Sequence, residues 1–144
     1  MNALVPKRRY TNRGDTIVID TQVLEPPVAG LPVQNPPTLV PANITGWFFW
    51  ITIKYYYSDP DSLAVAQCNS TPASTPTGGG VTITNALNGQ LEGIIPPAAT
   101  LNFPDSIVEC VYDIKAKTTD SIPRFFTVET GTIVVRPNVT RADT

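Results

Sequence analysis

Hydrophobic and polar residues alternate along several short segments of the chain, a pattern typical of β-strands with one face in a core. The clearest example runs from Ile107 to Lys117, where apolar residues alternate with charged ones. The positions expected to point inward there are Val108, Cys110, Tyr112, Ile114 and Ala116. A second alternating segment, Ile17 to Val23, would turn Asp20 and Gln22 to water. Both segments predict half-buried strands of antiparallel sheets.

The segment most strongly biased towards β-structure is Trp47 to Tyr57, because it is rich in aromatic and β-branched residues. Its large side chains fall on both faces, so we expect protein to cover both faces of this strand. Asp59-Pro60-Asp61-Ser62 would end the strand and begin a short helical turn through Leu63 to Ala66.

Two further pairs of strands are expected to form hairpins. Val81 to Thr84 alternates as a strand, Asn88-Gly89 is a strong turn signal, and Gln90 to Ile95 would return beside it. Phe125 to Val128 and Thr132 to Arg136 predict a terminal hairpin or meander, with the three residues between them as a turn.

About seven short strands separated by turns predict an all-β fold. We expect a single antiparallel β-sandwich of immunoglobulin-like type, formed by residues 15–144, with an extended basic N-terminal arm at residues 1–14. A proline-rich loop at residues 25–41 would interrupt the sandwich, because prolines at this density fit neither a helix interior nor a central strand. The loop would be extended and partly polyproline II in conformation.

The net charge of −2 is unevenly distributed along the chain. Four basic residues precede the first acid, Asp15, and the six that follow face twelve acids, which leaves the body with a formal charge of −6. A basic arm on an acidic body predicts docking of the arm onto the acidic body of a neighbouring copy or partner.

The residue types needed for common catalytic sites are missing. The chain has no histidine, which removes the usual general base and the commonest metal ligand. Asp59 and Asp61 are the closest pair of carboxylates in the sequence, and their setting indicates a turn. We therefore expect no enzymatic activity, no cofactor and no metal. Cys68 and Cys110 are expected to be buried thiols, with a disulfide between them as the alternative.

Membranes and nucleic acids are not expected as partners. No apolar run approaches the roughly 18 residues of a membrane span, and basic residues are concentrated in the short arm alone. The N-terminal residues lack the pattern of a secretory signal, so we expect synthesis in the cytoplasm.

Six short motifs occur in an order that resembles a known family. They are Arg13-Gly14-Asp15-Thr16, Asn43-Ile44-Thr45-Gly46, Asp59-Pro60-Asp61-Ser62-Leu63-Ala64, Gly79-Gly80-Val81-Thr82-Ile83-Thr84-Asn85-Ala86 followed by Gly89 and the Ile94 to Ala98 stretch, Val111-Tyr112-Asp113-Ile114, and Gly131-Thr132-Ile133-Val134-Val135-Arg136-Pro137-Asn138-Val139-Thr140-Arg141. In this order they resemble the small virion proteins of tailed bacteriophages and are similar to the N-terminal domain of the baseplate upper protein family. The chain differs from that pattern in its proline-rich insert, Glu25 to Pro41.

The resemblance implies a non-enzymatic structural component of a virion, made in the host bacterial cytoplasm and assembled in several copies. Its partners would be capsid, tail or baseplate subunits and copies of itself. Its place would be in the tail, baseplate or fibre-attachment region, or on the capsid as a cement (decoration) protein.

The residues expected to contact partners share basic, extended or aromatic character. Basic residues make salt-sensitive contacts, a pre-extended loop loses little entropy on binding, and tyrosines are enriched at interfaces. These residues are Lys7, Arg8, Arg9, Tyr10, Pro26, Pro27, Pro36, Pro37, Tyr55 and Tyr57. The alternative function is a carbohydrate-binding or host-surface adhesion module, which needs an exposed aromatic platform and a polar cleft. A third class, an enzyme, would have to be built from carboxylates.

Overall fold

Ten β-strands make up most of the described chain. A computed structural model describes residues 7–25, 39–71, 79–101, 103–104 and 106–137. In chain order the strands are β1 Lys7–Asn12, β2 Ile17–Gln22, β3 Leu24–Glu25, β4 Val40–Pro41, β5 Phe48–Lys54, β6 Ala66–Asn69, β7 Gly80–Asn85, β8 Gln90–Ile95, β9 Val108–Lys117 and β10 Phe125–Arg136. Within these residues, helical structure is limited to the four-residue helix α1, Pro97–Thr100, and to 3-10 turns at Asp61–Leu63 and Ala86–Asn88.

The strands form two principal sheets that share one core. The larger sheet has the order β1-β10-β9-β5-β6 and the smaller has the order β2-β8-β7, while β3 and β4 form a separate two-stranded ladder. All pairs are antiparallel except β1 with β10, which run parallel. The predicted all-β, sandwich-like fold is confirmed. Its antiparallel pairing has this one exception, and the immunoglobulin-like type stays a prediction.

The core lies between the inner faces of the two sheets, and alternation within each strand supplies its residues. The inward residues of β5 are Phe49, Ile51 and Ile53, all fully buried. The five inward positions predicted in β9 alternate as expected, and Cys110, Tyr112, Ile114 and Ala116 are fully buried. Opposite them on the smaller sheet lie Ile17, Ile19, Leu91 and Ile95. A Cβ atom added at Gly93 would lie 2.1 Å from Ile51 Cδ1, so the two sheets are in close contact there.

The predicted hairpin between β7 and β8 is confirmed. Its turn ends at Gly89, which has a φ of 68°, a conformation that favours glycine. A Cβ atom at Gly89 would lie 2.5 Å from the carbonyl oxygen of Val23, so the position also lacks space for a side chain.

The predicted terminal hairpin is wrong. Phe125–Arg136 is one strand of twelve residues that pairs with β9 along its length. A bulge at Val128 places Glu129, rather than Val128, opposite Ile114 and so turns the Glu129 side chain inward. Residues that resemble a turn in the sequence therefore continue the strand, because the buried side chain of Glu129 has partners inside the protein.

Two expectations around the aromatic strand are also corrected. The helical turn lies at Asp61–Leu63, and Ala66–Asn69 is an edge strand instead. The outward residues of β5, which include Phe48 and Trp50, are only half-buried, so the described part of the protein covers one face of this strand and leaves the other partly open.

The second half of the expected N-terminal arm, residues 1–14, is a strand of the larger sheet. Lys7–Asn12 forms β1, whose pairing with β10 continues the larger sheet. The turn after it, Arg13-Gly14-Asp15, is well defined. Gly14 has a φ of 87°, and Arg13 donates hydrogen bonds to the carbonyl oxygens of Phe103 and Leu101. The basic segment is therefore held against its own chain.

The ends of the proline-rich loop are joined by the short ladder of β3 and β4, in which Glu25 pairs with Val40. Four residues predicted to bind partners in this loop lie outside the described residues: Pro26, Pro27, Pro36 and Pro37.

Candidate functional site

Charged and polar side chains converge at two places, on opposite faces of the larger sheet. The first, the Glu129 cluster, consists of Lys7, Arg9, Thr21, Tyr112 and Glu129. Glu129 is only 4% exposed. Its Oε1 accepts from Lys7 Nζ at 2.9 Å and from the Thr21 hydroxyl at 2.7 Å. Its Oε2 accepts from Arg9 Nη2 at 3.0 Å and from the Tyr112 hydroxyl.

The strands position each member of this cluster. In β1, Lys7 lies opposite Gly131 and Arg9 opposite Ile133, so both side chains share the inner face with the Glu129 carboxylate. Thr21 reaches the cluster from β2, in the other sheet. A Cβ atom at Gly131 would lie 2.3 Å from the Lys7 carbonyl oxygen, so the close approach of β1 depends on this glycine.

The protonation equilibria of the cluster follow from burial and hydrogen bonding. Burial alone would raise the pKa of Glu129, but the hydrogen bonds it accepts from Tyr112 and the other donors hold this pKa below its ordinary value. Burial and the hydrogen bond to Glu129 raise the pKa of Tyr112 to about 12. Arg9 also donates from Nε to the Tyr112 hydroxyl at 3.0 Å. Glu129 is thus a buried carboxylate whose two oxygens each accept two hydrogen bonds. Because the donors lie on β1, β2 and β9, the cluster connects these strands to β10.

The second place is the outer groove, on the outward face of the larger sheet, with a volume of about 760 Å³. Two rows of cross-strand neighbours form its floor. One row runs from Thr127 through Lys115 and Trp50 to Asn69. The next runs from Asp113 through Thr52 to Gln67. The groove therefore crosses β10, β9, β5 and β6.

Aromatic rings form one end of the outer groove. Trp50 and Phe125 stack with ring centroids 6.3 Å apart and planes 30° apart. Phe48 packs edge-on against Trp50 at 4.7 Å. Phe125 remains 67% exposed, and Lys117 Nζ lies 5.7 Å from its ring centroid. These contacts hold the aromatic rings in place at the rim and leave Phe125 largely exposed.

Charged groups of both signs lie further along the groove. Lys54 Nζ forms an ion pair with Asp61 at 2.7 Å and donates to the Asp59 carbonyl oxygen at 2.8 Å. Burial raises the pKa of Asp113, and the nearby Lys115 and Lys54 act in the opposite direction. Among the described residues, no donor forms a hydrogen bond with the half-buried Asp113 carboxylate, so its hydrogen-bonding capacity faces the groove.

The structure separates the predicted basic and aromatic residues into groups. Lys7 and Arg9 belong to the Glu129 cluster. Arg8 and Tyr10 point to the outer face, where Arg8 Nη1 lies 3.2 Å from Glu109 Oε1 and Arg8 Nε donates to the Tyr10 hydroxyl at 2.9 Å. Arg136 lies over the Tyr10 ring at 5.1 Å. We call these four outward residues, Arg8, Tyr10, Glu109 and Arg136, the β1 rim.

The two predicted tyrosines differ in environment. Tyr55 packs partly buried against the core, and burial raises its pKa. Tyr57 is 62% exposed, lines the outer groove and approaches the Gly131 carbonyl oxygen at 3.5 Å.

Cysteine and acidic side chains are residue types that can bind a metal ion. Cys68 and Cys110 are free and buried, which confirms the predicted thiols, and burial raises the pKa of each to about 11. In the part of the chain that the structure describes, no group of three or more cysteine or acidic residues could hold a metal ion. None of the described helices has the length and apolar character to cross a membrane.

Sequence reasoning missed the central residues of both places. The sequence predicts a turn at Glu129-Thr130-Gly131, although these residues lack the Asn-Gly or Asp-Gly pair that marks a tight hairpin. Asp113 and Lys115 were correctly placed on the outward face of β9, but their proximity to Trp50 and Phe125 depends on strand pairing. Comparison of the sequence with protein-family models and with curated proteins found no match.

Proposed function

We propose that this chain is a non-enzymatic structural subunit of a tailed-phage virion, placed in the tail, baseplate or fibre-attachment region or on the capsid as a cement protein. It would bind neighbouring virion subunits, including copies of itself. The order of the six sequence motifs supports the phage assignment, and the absence of histidine supports a role without catalysis.

The observation that carries the binding role is the position of β1 at the edge of the larger sheet. Among the described strands, β1 pairs only with β10, so its other edge offers backbone groups to a partner strand. The β1 rim beside this edge presents two arginines, one tyrosine and one glutamate, and Tyr10 is 58% exposed. Arginine and tyrosine are residue types that often dominate binding at protein interfaces.

A surface that complements the basic rim lies on the smaller sheet. Asp20 and Glu92 are directly opposite each other on its outward face, where like charges repel. A neighbouring copy whose Arg8 lies between them would relieve that repulsion. Such a contact joins one surface of a copy to a different surface of the next copy. Contacts of this kind generate rings or filaments, which suits a component present in several copies.

The virion role is tested by purifying phage particles from cells that carry the gene in its native neighbourhood. We expect mass spectrometry to detect the chain in these particles, and immunogold electron microscopy to place it on the tail or capsid. Its absence from particles that are otherwise complete would refute the virion role.

The contact itself is tested by charge reversal. We expect Arg8→Glu to reduce self-association in sedimentation by about tenfold, because it places a third carboxylate beside Asp20 and Glu92. Glu92→Arg in the same chain should restore it. The matched control is Arg124→Glu, which breaks another exposed ion pair, with Asp120 at 2.9 Å. Equal effects of the two reversals would exclude the β1 rim as the contact.

A further inference from the structure

The outer groove combines features that the assembly role does not use. Its floor crosses four strands, a distance of about 14 Å at the usual strand spacing. Its volume of about 760 Å³ lies within the range of small-ligand sites. We propose that this groove is a binding site for a neutral oligosaccharide. A sugar ring would pack on Phe125 and Trp50, and the sugar hydroxyl groups would form hydrogen bonds with Asp113 and Lys115.

The aromatic end supports a ligand with a flat apolar face. The planes of Trp50 and Phe125 are only 30° apart, and the edge-on contact with Phe48 holds the tryptophan in place. Both rings are carried by strands, so little conformational entropy would be lost on binding. A pyranose ring has such a face of C–H groups, while its hydroxyl groups project from the edge.

The charged floor favours hydroxyl groups over ions. The four charged side chains that line the groove are Lys54, Lys115, Asp61 and Asp113, so their formal charges cancel. A phosphate backbone or an acidic peptide would need a net positive surface. A hydroxyl group both donates and accepts, so it can bind a carboxylate and an ammonium group in the same site.

Asp113 supplies the specific reason to expect a polar ligand. Its carboxylate is half-buried and, within the described chain, accepts no hydrogen bond, although burial of an unpaired acceptor is unfavourable. A hydroxyl donor bound in the groove would satisfy it. Tyr57 and Asp61 lie beyond it on the segment after β5 and limit the groove at that end.

The experiment uses the full chain, first on a glycan array and then in calorimetric titrations with cellohexaose, maltohexaose, chitohexaose and xylohexaose. We expect the chain to bind at least one class of neutral glycan on the array and in the titrations. Phe125→Ala and Asp113→Ala should each weaken its binding by about tenfold. Phe125→Tyr should retain binding, because the aromatic face is kept. The control is Val18→Ala, an exposed residue on the outward face of the other sheet.

Three results would overturn the proposal. One is the failure of the folded chain to bind any glycan on the array or any of the four oligosaccharides. Another is glycan binding that Phe125→Ala and Asp113→Ala leave unchanged. The third is a loss of assembly caused by Phe125→Ala in a chain that binds no glycan, since the groove would then be a protein interface. The saccharide site does not rest on the virion role, and these titrations give the same answer if the chain is absent from particles.

Discussion

Tyr112 and Asp113 are neighbours in β9, yet they belong to opposite kinds of environment. Tyr112 points inward and joins the Glu129 cluster, where the buried carboxylate has four hydrogen-bond donors. Asp113 points outward into the outer groove, where no donor among the described residues satisfies its carboxylate. One sheet therefore has an inner face on which the buried carboxylate is fully hydrogen-bonded and an outer face on which a half-buried carboxylate accepts no hydrogen bond from the described residues.

The difference separates stability from binding. A buried charge without partners is costly, so the inner face must satisfy Glu129 from within the chain. A half-exposed charge keeps part of its hydration and can exchange it for a ligand. We therefore expect changes in the Glu129 cluster to alter folding, and changes in the outer groove to alter binding with little effect on folding.

The largest effect is expected for Glu129→Ala. This change leaves Lys7 and Arg9 facing each other without a carboxylate, and we expect it to lower the free energy of unfolding by about 3 kcal/mol. Urea denaturation measures the difference. The matched control is Glu109→Ala, whose partner Arg8 is exposed, and it should change stability little. Similar losses from both variants would contradict a special role for the buried cluster.

A smaller loss, of about 2 kcal/mol, is expected for Gly131→Ala, because its methyl group would overlap the Lys7 backbone. Hydrogen exchange should show lost protection in β1 while the protection of β5 is retained. Thr132→Ala, at the adjacent outward position, is the control. Unchanged protection of β1 in Gly131→Ala would show that the approach of the two strands does not need the glycine.

The two faces should respond to acid in opposite directions. The pKa of Glu129 is lower in the folded protein than its ordinary value of 4.5, so the unfolded chain binds more protons as the pH falls. The stability contributed by Glu129 is therefore present above pH 4.5 and is lost below it. The pKa of Asp113 is raised, so its protonation offsets part of that loss.

Denaturation midpoints measured between pH 7 and pH 3 test this prediction. Glu129→Gln should flatten the acid loss, and Asp113→Asn should steepen it. A wild-type profile that Glu129→Gln leaves unchanged would show that other carboxylates govern acid stability.

The smallest effect on folding is expected in the outer groove. Phe125→Ala and Lys115→Ala should each change the free energy of unfolding by no more than about 0.5 kcal/mol, because both side chains are exposed. Urea denaturation of the same preparations used for glycan titration provides the comparison. A loss as large as that of Glu129→Ala would remove the distinction between the two faces.

Much of the sandwich could be predicted from local pattern. The alternation in β2 and β9 assigned their inward and outward residues correctly, and Asn88-Gly89 correctly marked a hairpin turn. These signals are local, because neighbouring residues in a strand point to opposite faces and a tight turn needs particular residues.

The errors share a different origin. The sequence predicts a turn at Glu129-Thr130-Gly131 because these residues separate two strand-like runs, whereas the partners that hold Glu129 inside the protein come from β1, β2 and β9. The sequence does not show that the basic N-terminal segment is a strand, because its pairing with β10 joins residues more than a hundred positions apart. Such contacts leave no periodic signal in either segment.

Short strands around an apolar core, buried cysteines and the lack of histidine could all be inferred from the amino-acid sequence. Which polar residues meet could be seen only in the folded structure. The bulge at Val128 turns Glu129 inward, and the order of β10, β9, β5 and β6 places Phe125 and Asp113 in one groove. The physical reason is that side-chain alternation is a property of each strand, whereas register and strand order depend on contacts between distant segments.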